Sequence, residues 1–113
     1  MTLHEKQVLF ARNVASLIDY ISSNNHQVTF GECYRTPEQA KWNADHGLGI
    51  AHSLHTERLA IDLNLFDDKG NYLADKTSYE PFGRYWKSLH TFNRWGGDFI
   101  HLVDSGHFEM QNL

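Results

Sequence analysis

His55 and Asp62 stand seven residues apart, and far along the chain His107 follows Asp104 by three positions and precedes Glu109 by two. Two imidazoles and a carboxylate are donor types that zinc accepts, and a site with three protein ligands keeps a fourth position for water, as catalysis requires. His55, Asp62 and His107 are therefore the candidate zinc ligands, and Asp104 is the candidate for handling the protons of that water. The interval of seven excludes the helical His-x-x-x-His arrangement and suits a loop ligand followed by a strand ligand. Judged by residue type alone, the plainer reading of the same side chains is two separate, partly buried histidines and a strand-end carboxylate that caps a loop.

The elements that must carry these residues can be sketched from periodicity. Thr2 and Glu5 form a capping-box pattern that opens a helix from Leu3 to Ser22, with Leu9, Phe10, Val14, Leu17, Ile18 and Ile21 on its apolar face. Gln27 to Tyr34 alternates as a strand. Thr36 and Pro37 then start a second helix ending near Asp45. Arg35 sits at this strand-to-helix junction, where a guanidinium can bind a carboxylate or steady an oxyanion; a surface pair with Glu32 or Glu38 is the plainer local reading. From Leu59 to Phe66 the alternation puts Ala60, Asp62 and Asn64 on one face and Ile61, Leu63 and Leu65 on the other. A turn at 67–71 leads to a short strand around Tyr72 and Leu73. Thr77 to Arg94 is expected to be helical, broken at Pro81 and Gly83. Trp95-Gly96-Gly97-Asp98 could floor a substrate cleft or form a bulge beside the core. In the last strand, Gly106 to Met110, His107 and Glu109 share a face.

Composition bounds these readings. The 113 residues, 41% hydrophobic and 13% aromatic, suffice for one domain and one core. A net charge of -4, with ten Lys and Arg scattered along the chain, gives no footprint for nucleic acid. Eight histidines are an excess that hints at metal or proton chemistry. Cys33 is the only cysteine, so neither a disulfide framework nor a Cys-based zinc site is available, and it is expected to be a small buried core residue. Gly47 and Gly49 lack the residues of a phosphate loop. The N-terminus shows no export signal and no stretch reaches membrane-spanning length, so cytoplasmic synthesis is expected.

Four ordered stretches carry a family resemblance: Tyr34-Arg35-Thr36-Pro37, Ser53-x-His55-x(6)-Asp62 with Ala60, Trp95-Gly96-Gly97-Asp98, and Asp104-x-x-His107-Phe108-Glu109. Together they resemble the signature of the zinc D-alanyl-D-alanine carboxypeptidase and L-alanyl-D-glutamate endopeptidase family, which includes phage endolysins. The resemblance spans Gly31 to Glu109. It departs at Arg58, where the family often has glycine. It implies an α+β fold of the hedgehog/DD-peptidase type: a small antiparallel sheet packed against helices, with the metal in a groove on the sheet.

The same resemblance implies a role for each matched residue. His55, Asp62 and His107 would bind Zn2+, Asp104 would act as general base, and Arg35 would stabilise the oxyanion. Ser53 would orient its loop or touch substrate, Glu109 would hold an imidazole tautomer, and Trp95 and Asp98 would support the site or meet substrate. The implied substrate is a peptidoglycan stem peptide, cut internally by a phage or prophage lysin. Such a lysin would be a monomer that reaches the bacterial cell wall, in the periplasm, with a separate holin-like protein. Trimming of a terminal D-Ala, or a zinc-binding module without turnover on the same fold, are the alternatives.

Overall fold

The computed structural model describes residues 1–50 and 52–113. Its first element, α1 (Leu3–Ser23), starts at the capping box, in which Thr2 and Glu5 each accept from the other's backbone N–H. The second helix, α2 (Pro37–Asp45), is capped by Thr36, has Pro37 in its first turn, and buries only Ala40. The third, α3 (Lys76–Leu89), is capped by Asp75 and runs unbroken through Pro81 and Gly83.

Five strands, β1 (Gln27–Phe30), β2 (Ala60–Phe66), β3 (Tyr72–Leu73), β4 (Asn93–Trp95) and β5 (His107–Met110), form one antiparallel sheet. The order is β1-β2-β5-β4, with β3 also paired to β2. The fold is thus the expected α+β arrangement. Two expectations need correction. The segment from Thr77 to Arg94 is not all helix, because the chain leaves α3 after Leu89 and forms β4. The strand expected to reach Tyr34 ends at Phe30, and Cys33 beyond it is exposed rather than a core residue.

One face of the sheet meets α1 and α3. Phe10, Leu17 and Ile21 of α1 and Tyr79, Phe82 and Trp86 of α3 pack on Ile61, Leu63, Leu65, Trp95, Phe108 and Met110. Alternation therefore turns Ala60, Asp62 and Asn64 to the opposite face, as the sequence pattern requires. On that edge of β2, between the stretches paired to β5 and β3, the Tyr79 hydroxyl takes the place of a strand: it donates to the Leu63 carbonyl at 2.7 Å and accepts from Leu65 N–H at 3.1 Å. Burial pushes the Tyr79 phenol up to about 12, so it remains a donor at any working pH.

Candidate metal centre

Sheet register builds the site. Asp62 of β2 lies directly opposite His107 of β5, and Arg94 of β4 lies opposite Glu109. His55 comes from a short 3-10 turn (Leu54–Glu57) just before β2. Ser53 caps that turn, accepting from His55 N–H at 3.2 Å, and Arg35 N–H donates to the His55 carbonyl. The left-handed conformation at Arg58 (φ 57°) ends the turn and sends the chain into β2. Its guanidinium lies over the Tyr34 ring, 4.1 Å from the centroid. Arginine thus occupies a backbone position that glycine would take without strain.

The two imidazoles are oriented by different partners. His55 Nδ1 donates to the Cys33 carbonyl at 3.1 Å, which leaves Nε2 facing Asp62 Oδ1 at 3.4 Å. His107 is turned the other way: Nε2 bonds Glu109 Oε1 at 2.7 Å, and Nδ1 faces the same Asp62 oxygen at 3.0 Å. One ligand atom from each of His55, Asp62 and His107 lies within 4.8 Å of the others. Zinc–ligand bonds of roughly 2.0–2.2 Å put tetrahedral ligands about 3.3–3.6 Å apart, so small side-chain shifts would bring these three onto one ion. The donor set and the fixed outer hydrogen bonds both fit a divalent metal.

Charge within the cluster is balanced by proximity. Burial favours the neutral form of Asp62, but hydrogen bonds from His107 and His55 and their charges outweigh it, and the carboxyl is pulled down to about 2. Burial likewise works against protonated His107, yet the hydrogen bonds to Asp62 and Glu109 and their charges push it up to about 9. Glu109 is held below the usual carboxylate range, burial being overcome by His107 and Arg94. Asp104 is raised by burial and by the Asp62 charge.

Asp104 Oδ2 lies 4.0 Å from His107 Nδ1, with its carboxylate about half exposed. The turn that places it is tightly seated: Asp104 N–H donates to the Gly96 carbonyl at 3.0 Å, and a Cβ on Gly96 would come within 2.1 Å of the Asp104 carbonyl oxygen. The Trp95 ring is wedged against Gly83 and Gly97, where an added Cβ would meet it at 2.2 Å in each case. Its Nε1 donates to the Ser105 carbonyl at 2.7 Å. Trp95 is 2% exposed and cannot floor a cleft; it buttresses the loop that carries Asp104. Asp98 makes a surface ion pair with Lys87 at 2.7 Å and is not among the described residues that line the two cavities around the cluster.

Arg35 does line the cavity of about 380 Å³ that holds His55, Asp62, Asp104 and His107. Its Nη2 pairs with Glu32, the plainer of the two readings of its sequence, while its buried Nε–H has no partner. Leu48, Ile50, Phe99 and Leu102 form an apolar wall of the same cavity. A second cavity of about 460 Å³, lined by Glu32, Asn64, Tyr72 and Ser105, adjoins it across Asp62 and Asp104. Arg94 carries no site signal in the sequence, where Thr77 to Arg94 reads as helix; in the structure it lies on β4 opposite Glu109.

Two solved structures share this architecture. The crystal structure of Serratia marcescens L-Ala D-Glu endopeptidase ChiX superposes with a TM-score of 0.64 at 18% identity, over 75% of this chain and 67% of that one. The vancomycin resistance D,D-pentapeptidase VanY from a VanB-type resistance cassette, solved as a mutant in complex with Zn(II), gives 0.62 at 14% identity, over 89% and 70%. Fold and site together give an α+β sheet carrying a candidate metal centre. A family model described as D-alanyl-D-alanine carboxypeptidase matches residues 47–110, more than half of the chain and the part that holds His55, Asp62 and His107, and the chain belongs to that family. No curated protein matches it.

Proposed function

We propose that this chain is a zinc-dependent peptidoglycan peptidase that cuts within the stem peptide, as an L-alanyl-D-glutamate-type endopeptidase. The observation that carries the reading is the convergence of His55 Nε2, Asp62 Oδ1 and His107 Nδ1, each imidazole turned inward by a hydrogen bond on its far nitrogen. Zinc held there would acidify a water and polarise the scissile carbonyl. Asp104, its carboxyl raised by burial and by the Asp62 charge and about half exposed, accepts the proton of the attacking water and returns it to the leaving amine. Arg35, which lines the cavity, offers its guanidinium to the developing oxyanion, and Glu32 holds that guanidinium in place.

Internal cleavage is supported by the open run of the groove on both sides of Asp62 and Asp104, which leaves room for peptide in both directions. The resemblance to endolysins extends the proposal to a phage or prophage origin and a separate membrane-permeabilising partner. Mass spectrometry of products from defined muropeptides tests the reading. Fragments cut between L-Ala and D-Glu, absent with Asp104→Asn at undiminished zinc content, are expected. Release of terminal D-Ala alone would replace it with the carboxypeptidase reading.

A further inference from the structure

We propose that Arg94 is a positioning residue for His107, acting through Glu109; this rests on the reading of His107 as a metal ligand. Arg94 and Glu109 are direct cross-strand neighbours on β4 and β5, on the sheet face that carries the site. Arg94 Nε donates to Glu109 Oε2 at 2.7 Å, and Nη2 pairs with the same oxygen. The other oxygen, Oε1, accepts from His107 Nε2. Each carboxylate oxygen is thus committed to one partner, and the plane of the carboxylate is fixed by an arginine fork on one side and an imidazole on the other. The backbone beneath is pinned as well, since Trp86 Nε1 donates to the carbonyls of both Arg94 and Glu109 at 3.0 Å.

An ordinary surface ion pair is worth little, because two solvated side chains give up freedom for a weak attraction. This pair differs in that the Glu109 carboxylate is only 7% exposed. A buried carboxylate without a cation swings toward solvent. His107 then loses the acceptor that holds its Nε2–H, and Nδ1 is no longer turned toward the metal. His55 needs no such chain, because its Nδ1–H is held by a main-chain carbonyl. Arg94 thus serves one ligand and not the other.

The test is a cycle of zinc affinities, by competition with a chromophoric chelator, for wild type, Arg94→Met, Glu109→Gln and the double variant. Arg94→Met should weaken zinc binding by about tenfold or more, and in the Glu109→Gln background it should weaken it by no more than about twofold, because the two act as one unit. The second readout is the imidazole N–H signals of the zinc-loaded protein: exchange of the His107 Nε2 proton should accelerate in Arg94→Met, and that of the His55 Nδ1 proton should not. Should Arg94→Met fail to fold, Arg94→Lys, which keeps the charge without the fork, must still weaken zinc binding measurably. Wild-type affinity in the arginine variants, equal losses in both backgrounds, or faster exchange at both histidines would overturn the proposal. A wild-type protein that takes up no zinc would overturn the metal reading itself, and this inference with it.

Discussion

Asp62 lies directly across the β2–β5 ladder from His107, and its Oδ1 is 3.0 Å from His107 Nδ1, so a metal bound by both atoms would replace the contact between them. The pair and the metal therefore compete, and their pH dependences are opposite. His107 is raised from 6.5 to about 9, so in the metal-free protein its contribution to stability is complete below pH 6.5 and is lost as pH rises through about 9. Asp62, lowered from 3.8 to about 2, contributes above pH 3.8, and that contribution is lost as pH falls through about 2. Zinc must displace the Nδ1 proton, so its affinity should rise over the same interval, 6.5 to 9, in which metal-free stability falls. Urea unfolding with chelator and zinc titrations across that range check both slopes; parallel slopes would contradict the competition.

Arg35 should matter to turnover more than to metal uptake. Arg35→Lys keeps a charge near Glu32 but removes the planar fork and the buried Nε–H. An unmade oxyanion hydrogen bond costs about 10²–10³ in kcat. A fall of that order with zinc affinity within about threefold of wild type is expected from steady-state kinetics beside chelator competition. Unchanged kcat would remove Arg35 from the site.

Gly83 provides a test of packing against propensity. In a helix interior, Gly to Ala ordinarily stabilises by about 0.5–1 kcal/mol. At Gly83 the new methyl would lie 2.2 Å from the Trp95 ring. Overpacking of about 1–3 kcal/mol should win, so Gly83→Ala should be less stable than wild type in urea. It should also loosen the Ser105 turn that Trp95 holds. A stabilised Gly83→Ala would show that the ring has room to move.

The left-handed Arg58 predicts an ordering of variants. Arg58→Ala keeps the backbone strain and loses the stacking on Tyr34, a loss of about 0.5–1 kcal/mol. Arg58→Gly loses the same stacking but relieves a strain of about 1–2 kcal/mol. Glycine should therefore exceed alanine in stability by at least about 1 kcal/mol, measured by chemical denaturation. Equal stabilities would mean that the turn re-forms without a left-handed residue.

Much of the scaffold was legible because its signals are local. The Thr2/Glu5 capping box and the Thr36-Pro37 start mark α1 and α2, and period-two alternation from Ala60 to Phe66 tells which way Asp62 points. What failed to show depends on contacts made across the fold. Pro81 and Gly83 read as breakers, yet Pro81 lies near the start of α3 and Gly83 makes room for Trp95. Trp95 beside two glycines resembles a cleft floor until the ring is seen to need Gly97 and the distant Gly83 for its burial. Asp98 carries no local mark that its partner is Lys87. Cys33 has an exposed side chain, and what it supplies is a main-chain carbonyl to His55, which no residue type announces.

The most direct measurement is zinc stoichiometry by equilibrium dialysis followed by elemental analysis, for wild type and for Asp62→Asn, His55→Ala and His107→Ala. One ion per chain in the wild type, and far less than one in every variant that remains folded, is the predicted result. A wild-type protein that retains no zinc, or folded variants that retain it as well as wild type, would contradict the convergence of these three side chains on a single metal.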